Sequence, residues 1–194
     1  VPYSRYGETI EGVMDQIASM RGALADGLDR AGLQSALPAG AARNALDCAL
    51  WDLEAKTTGR PVAALAGLPP PEPVTTAYTL SIDTPERMQA AAEQHPGAPV
   101  LKLKLAGDGD IERVEAVRRG APEARIVVDA NEGWSIEQYV SYAPLLSRLG
   151  VAMIEQPFPA EQDELLERLE RPVPVCADES CHDRGSLAGL VGRY

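Results

Sequence analysis

Two lysines and three acidic residues lie at the ends of apolar segments in the second half of the sequence. Lys102 and Lys104 alternate with leucines in "VLKLKL". The acids Asp129, Glu155 and Asp178 end the segments "RIVVD", "VAMIE" and "VPVCAD". Intervals of 25, 26 and 23 residues separate Lys104 and the three acids in turn, about the length of one βα repeat. In a parallel barrel, sites form at the carboxyl ends of the strands, so the spacing predicts that these side chains converge there.

The three acids indicate a site for a divalent cation. Carboxylates that follow apolar segments are costly to bury, and three that converge repel one another unless a cation compensates them. Ligation by oxygen alone favours Mg²⁺ over zinc. Any one of these acids by itself is more typical of a loop residue or a helix N-cap, so the prediction depends on their matched positions.

The two lysines share one face of a strand, because side chains alternate between the faces of an extended chain. In an isolated amphipathic strand that face would lie in water. In a closed barrel it becomes the inward face, shared with the acids, while the leucines face the outer helices. Mutual repulsion and a nearby divalent cation disfavour protonation of a lysine, as a base near neutral pH requires. Lysine beside Mg²⁺ suggests abstraction of a proton α to a carboxylate, with the cation stabilising the enediolate.

The elements that must position these residues alternate regularly beyond residue 73. Thr84 and Ser135 are predicted helix N-caps, with Pro85 at the favoured first position. Helices are predicted in "TPERMQAAAEQ", "GDIERVEAVRRGA", "SIEQYVSYAPLLSRL" and "EQDELLERLE", and strands over residues 74–82, 100–105, 125–130, 150–156 and 173–179. Five strands separated by helices predict an α/β fold with a parallel sheet.

The first 60 or so residues are predicted to be helical. One helix, capped by Thr9, is expected over residues 10–32, where apolar residues recur at spacings of three and four. A second is expected over residues 41–59, with Leu46, Leu50 and Leu53 along one side and Gly59 at its end. Four prolines then fall between positions 69 and 73, which predicts a boundary between domains.

Composition excludes several classes of protein. The net charge of −11 over 194 residues repels phosphate backbones and anionic lipid, so we expect neither nucleic acid nor a membrane as a partner. No apolar run of membrane-spanning length and no signal peptide is expected. Three cysteines without a C-x-x-C pair fit a reducing compartment, the cytoplasm, and the spacing in "CADESCH" argues against zinc.

The ordered motifs K-x-K at 102–104, D-x-N at 129–131, E-Q-P at 155–157 and D-E-S at 178–180 resemble the enolase superfamily. The resemblance is to its muconate-lactonising subgroup, and within that to the dipeptide epimerases that act on L-Ala-D/L-Glu and related dipeptides. It spans essentially the whole chain, including "NALDCALWDLEAKTTGRPV" and "TTAYTLSIDTPE". Each motif alone is weak, but their combination and order are specific.

The resemblance implies a partial modified TIM (β/α) barrel preceded by the helical part of an α+β capping domain. Residues 1–68 would belong to the capping domain, 69–73 would form a linker and 74–194 would supply the first five strands of the barrel. The implied activity is that of an isomerase, a Mg²⁺-dependent dipeptide epimerase with a small-molecule dipeptide as its substrate. The resemblance leaves open whether the protein forms a homo-oligomer.

The resemblance also implies roles for individual residues. Lys104 matches the base on one face of the substrate, and Lys102 matches the lysine that binds the substrate carboxylate and stabilises the enediolate. Thr79 matches a substrate-contacting threonine, with an ordinary β-branched strand residue as the alternative. The remaining matches are the Mg²⁺ ligands Asp129, Glu155 and Asp178, and the neighbouring positions Asn131 and Glu179.

The family pattern extends beyond the chain. A full barrel needs about 250 residues, so we expect the sequence to be truncated at both ends, with the opposite-face lysine and the acids that hold a dipeptide's ammonium group beyond Tyr194. The alternatives are another reaction begun by the same proton abstraction, namely muconate cycloisomerisation or o-succinylbenzoate synthesis, or a non-catalytic fragment whose open strand edges favour association.

Overall fold

The computed structural model describes residues 2–194, which form two compact units divided between Pro73 and Val74. The first unit is helical and begins with a short 3₁₀ turn at Ser4–Tyr6. Its helices are α1 (Ile10–Ser19), α2 (Arg21–Ala25), α3 (Arg30–Ala36), α4 (Ala41–Thr58) and α5 (Val62–Leu65). Their core comprises Val13, Met20, Leu33, Leu37, Ala42 and Leu46. Within residues 2–194, no helix is long and apolar enough to cross a membrane.

The single helix predicted over residues 10–32 is wrong, because the chain forms three helices there. Thr9 does cap α1, its side chain accepting a hydrogen bond from the Gly12 amide. After α2, Gly27 adopts a left-handed conformation with φ of +91°, which ends the helical path. The Asp29 carboxylate then accepts from the Gly32 amide at 2.7 Å and starts α3. Local capping and a permissive glycine therefore override the apolar periodicity.

Helix α4 agrees with its predicted bounds. It ends at Gly59, which is left-handed with φ of +67°. Leu46 is buried and Leu50 packs against the same core, but Leu53 is 57% exposed. The predicted apolar stripe is thus shorter than the spacing suggested.

The second unit is a five-stranded parallel sheet with helices between its strands, which confirms the predicted α/β fold. The strands lie in the order of the sequence. They are β1 (Ala77–Leu80), β2 (Val100–Lys104), β3 (Arg125–Asp129), β4 (Val151–Glu155) and β5 (Val175–Cys176). Between and after them lie α6 (Pro85–Glu93), α7 (Asp110–Gly120), α8 (Ile136–Arg148), a 3₁₀ segment (Ala160–Arg168) and α9 (Leu187–Leu190).

Most local predictions for this unit agree with the structure. Thr84 caps α6 with Pro85 at its first position, and Ser135 forms a capping box with Gln138. Two predicted elements are less regular in the structure than the sequence suggested. The fourth helical segment is 3₁₀ rather than α, and the strand predicted over 173–179 pairs only at Val175 and Cys176.

Candidate active site and metal centre

The register of the sheet places the predicted lysine and two of the acids in one row. Lys104 is the partner of Asp129, Asp129 is the partner of Glu155, and Glu155 is the partner of Cys176. Paired residues of neighbouring strands project from the same face, so this row lies across the face opposite the buried leucines of β2. We call it the inner face of the sheet.

Asp178 does not occupy the equivalent place that its spacing predicted. Cys176 takes that position in the row, and Asp178 follows two residues later, beyond the end of β5. The carboxylate of Asp178 nevertheless reaches the other two. One oxygen from each of Asp129, Glu155 and Asp178 lies within 4.8 Å of the others.

The three carboxylates differ in exposure: Asp129 is fully buried, Glu155 is half-buried and Asp178 is exposed. Such a cluster is open to ligands on one side only. Its donor set of three carboxylate oxygens fits a hard divalent cation, which takes oxygen ligands and completes its shell with water or substrate oxygens. The arrangement could therefore hold a metal ion.

Both predicted lysines face this cluster. The Lys102 ammonium donates to Glu155 Oε1 at 2.6 Å and lies 2.9 Å from Asp129 Oδ2. The Lys104 ammonium donates to the same Asp129 oxygen at 2.6 Å. Because each lysine is partly exposed while Asp129 is not, the ammonium groups border the open side of the site.

The pKa shifts show how the charges influence one another. Burial acts to lower the pKa of Lys102, but its hydrogen bonds to Glu155 and Asp129 outweigh burial and raise it. Burial acts to raise the pKa of Asp129, yet the hydrogen bonds from Lys104 and Lys102 lower it. For Glu155, burial and the charges of Asp129 and Asp178 prevail over Lys102, so its pKa is raised.

The rise in the pKa of Lys102 comes from its carboxylate neighbours, whereas the expected loss of lysine protonation depended on a bound cation. Two carboxylates lie within 3 Å of its ammonium and hold the cationic form. Lys102 is consequently suited to stabilise negative charge rather than to accept a proton.

Strained backbone marks the loops that follow β3 and β4. Within residues 2–194, the non-glycine residues with positive φ are Asn131, Glu132 and Gln156, at +46°, +63° and +38°. Such conformations persist where the surroundings enforce them, and they are common at functional sites. The tight turn at Asn131 directs its backbone amide to Asp129 Oδ1 at 3.0 Å, while the two lysines contact the other oxygen, Oδ2.

The other predicted residues lie around this centre in different ways. The Asn131 side chain donates to Glu179 Oε1 at 3.5 Å, while Glu179 Oε2 is buried with no hydrogen-bond partner among residues 2–194. Thr79 is the register partner of Lys102, so it lies on the inner face near the end of β1, where it is exposed. The structure thus brings Asn131 and Glu179 together and leaves Thr79 at the open edge.

Two buried residues that the sequence analysis missed tie the loops after β2 and β3 together. The Asp110 carboxylate accepts from the amides of Ala106 and Gly107 and from Trp134 Nε1 at 2.8 Å. Asp110 is fully buried at the first position of α7. The available signal for Asp110 was its place as the last residue of "GDGD". Its partner Trp134 lies 24 residues further along the chain, so the contact itself could not be read from that motif.

The sequence matches two family models in succession. Residues 2–67 match the mandelate racemase/muconate lactonizing enzyme N-terminal domain, and residues 85–193 match the enolase C-terminal domain-like family. Together they account for both units of the chain.

Characterised relatives and solved structures agree with these matches. The chain is 50% identical to the L-Ala-D/L-Glu epimerase of Escherichia coli, over all of this chain and 61% of that protein. An enolase family member from Agrobacterium tumefaciens, solved with sodium and L-Ala-L-Glu, is 49% identical with a TM-score of 0.96, over all of this chain and 60% of that one. A dipeptide epimerase from Cytophaga hutchinsonii, solved with Mg and D-Ala-L-Val, is 31% identical with a TM-score of 0.70, over 76% of this chain and 42% of that one. The chain spans about three fifths of the length of the first two proteins.

Proposed function

The chain belongs to the mandelate racemase/muconate lactonizing enzyme family of the enolase superfamily, and from that premise we propose that the protein is a Mg²⁺-dependent dipeptide epimerase of the L-Ala-D/L-Glu type. The observation that carries this proposal is the row formed by Lys104, Asp129 and Glu155 across the inner face. It sets a lysine beside an acidic cluster, as removal of a proton α to a carboxylate requires.

We assign the metal to Asp129, Glu155 and Asp178, whose oxygens lie close enough to share one ion. When bound, Mg²⁺ would neutralise negative charge that develops on the substrate carboxylate. The Asn131 amide and the lysines hold Asp129 in place, and Asn131 also contacts Glu179 beside the cluster. Asp178, which is exposed, leaves that side of the cluster open to a substrate.

We assign Lys104 as the base on one face of the substrate and Lys102 as the group that stabilises the enediolate. Hydrogen bonds that Lys102 donates to two carboxylates keep it cationic, as the stabilising role demands. Lys104 contacts one carboxylate and is the more exposed of the two, so its nitrogen can turn toward a bound substrate. We also assign Thr79 as a substrate contact from β1, which is supported by its register with Lys102.

The family context extends the proposal to the whole protein. We propose that the helical unit is the helical part of a capping domain and that the sheet unit supplies the first five strands of a modified TIM barrel. We also propose a cytoplasmic protein that acts on small dipeptides and binds neither nucleic acid nor membranes, in keeping with its net charge of −11.

The test is exchange of the α-proton of the carboxyl-terminal residue in D₂O, followed by NMR or mass spectrometry. Incubation of the full-length enzyme with Mg²⁺ and L-Ala-L-Glu should introduce deuterium and produce the L-Ala-D-Glu epimer. Muconate and the precursor of o-succinylbenzoate, tested in parallel, should be left unchanged. Turnover of either acid without dipeptide exchange would contradict epimerisation and favour the alternative reactions.

A further inference from the structure

Gln156 directly follows Glu155 of the metal site, yet its side chain is closed off from solvent. It is fully buried, and its φ of +38° lies in the left-handed region. An amide at such a position must find hydrogen bonds, because an unsatisfied buried polar group is costly.

The carbonyl oxygen of this amide holds the loop that carries Asp178. Gln156 Oε1 accepts from the backbone amide of Asp178 at 2.9 Å and from that of Ser180 at 3.2 Å. The backbone amide of Gln156 donates to the Cys176 carbonyl at 2.9 Å. The strand pairing of β4 with β5 ends at Cys176, so the side chain of Gln156 continues the attachment where the sheet stops.

A buried network fixes the orientation of the amide. Asp163 accepts from Ser180 Oγ at 2.9 Å and from the Tyr194 hydroxyl. Gln156 Nε2 donates to the Phe158 carbonyl at 2.9 Å, and it lies 2.7 and 3.0 Å from the two hydroxyl oxygens, which can accept because their protons go to Asp163. The nitrogen of the amide therefore faces the hydroxyls, and its oxygen faces the amides of the Asp178 loop.

We propose that Gln156 is a positioning residue for the metal centre, which holds Asp178 within reach of Asp129 and Glu155 through the backbone of its loop. This assignment depends on the metal site proposed above. Asp129 and Glu155 are the last residues of paired strands, whereas Asp178 is exposed beyond a two-residue strand. Asp178 is thus the ligand that the Gln156 side chain holds in place, whereas strand pairing holds the other two.

The test is a titration of the protein with Mn²⁺, in which electron paramagnetic resonance counts the unbound ion. Gln156→Met keeps the length of the side chain and removes both polar atoms, so Mn²⁺ affinity should fall by about 10- to 100-fold, as for other residues that support metal ligands. In the double variant Gln156→Glu with Asp163→Asn the net charge is unchanged. The carboxylate at position 156 again offers an acceptor to the Asp178 loop, and the amide at position 163 supplies a donor in place of the one lost at position 156. The double variant should recover most of the lost affinity.

Gln138→Met is the matched control, because it removes another amide with two hydrogen bonds, to Ser135 and Asp108, and touches none of the three carboxylates. It should bind Mn²⁺ like the wild type. If Asp178→Asn weakens binding but Gln156→Met does not, the positioning role is wrong and the metal site stands. If the wild type does not bind Mn²⁺, or Asp178→Asn binds as tightly as the wild type, the metal site itself is wrong.

Hydrogen exchange in the wild type tests the same contact if Gln156→Met does not fold. The Asp178 amide should exchange much more slowly than an unprotected peptide, although its side chain is exposed. Exchange at the unprotected rate would overturn the proposal, because Gln156 would then not be holding that loop.

Discussion

The two faces of the sheet follow opposite physical rules. The outer face is apolar and fully buried, and comprises Leu101, Leu103, Ile126, Val128 and Ile154. The inner face of the same strands carries charged residues, which are Lys102, Lys104, Asp129 and Glu155. A single residue step along a strand separates the two environments.

The outer face therefore contributes mainly to stability, and the inner face contributes mainly to the chemistry. Removing apolar side chains from water stabilises the fold by about 25 cal/mol per Å² of buried surface. A buried carboxylate such as Asp129 is instead tolerated because two ammonium groups compensate it, and such pairs add little net stability. Substitutions on the outer face should therefore lower stability, and substitutions on the inner face should lower activity.

The largest expected effect on the inner face is that of Lys104→Ala in the full-length enzyme. Loss of a general base should slow exchange of the α-proton of one substrate epimer by about 10²- to 10⁴-fold, with Mg²⁺ binding retained. Lys56→Ala, which removes another lysine paired with a carboxylate at 2.6 Å, should leave exchange unchanged. Exchange of both epimers at wild-type rates in D₂O would refute the role of Lys104.

On the outer face, Leu103→Ala should lower the free energy of unfolding by about 2–5 kcal/mol, because it leaves a cavity in the core. Leu53→Ala makes the same change at an exposed position and should cost little. Denaturant unfolding measures both. Equal effects would mean that the burial of Leu103 does not set the stability of the sheet.

Trp134→Phe sharpens the comparison at the carboxyl end of the strands, where the two faces meet. The substitution keeps an aromatic ring but removes the donor to Asp110, so it should cost about 1.5–3 kcal/mol of stability. Trp51→Phe is the control, since its ring stacks on Arg30 at the surface of the helical unit. A Trp134→Phe protein as stable as the control would argue against the link between the two loops.

The smallest effect is expected in the helical unit, at Glu8. Hydrogen bonds from the backbone amides of Ala41 and Tyr3 lower the pKa of Glu8. A lowered pKa stabilises the fold above the ordinary glutamate value, and this contribution is lost as the pH falls through the folded-state pKa. Glu8→Gln should therefore flatten the loss of thermal stability in acid. An unchanged acid profile would exclude the contribution of Glu8.

The inner face could be predicted from the sequence because strand alternation and βα spacing are both periodic. Lys102, Lys104, Asp129 and Glu155 lie where those two periods place them. The position predicted for Asp178, at the end of the fifth strand, was wrong. Strand β5 pairs at only two residues, and Asp178 follows in a loop. The role of Gln156 depends on contacts with Asp178 and Ser180, 22 and 24 residues away along the chain, which no local pattern encodes.

The helical unit shows the same limit in another form. Apolar residues recur at helical spacing within residues 10–32, and three of them, Val13, Met20 and Leu24, do pack in one core. That spacing did not reveal that the predicted helix is interrupted at Met20 and again after Ala25, where the break depends on the conformation of Gly27 and on the cap at Asp29. Periodicity identified what is buried, and local backbone chemistry determined the path of the chain.

The central claim is that the inner face holds a divalent cation, and the thermal midpoint measured with and without Mg²⁺ tests it most directly. At a Mg²⁺ concentration about 100 times the dissociation constant, binding should stabilise the wild type by about 2.7 kcal/mol, a rise of roughly 5–10 °C. The Asp129→Asn protein should show no rise. An equal rise in both proteins, or none in either, would contradict the assignment of the metal to this face.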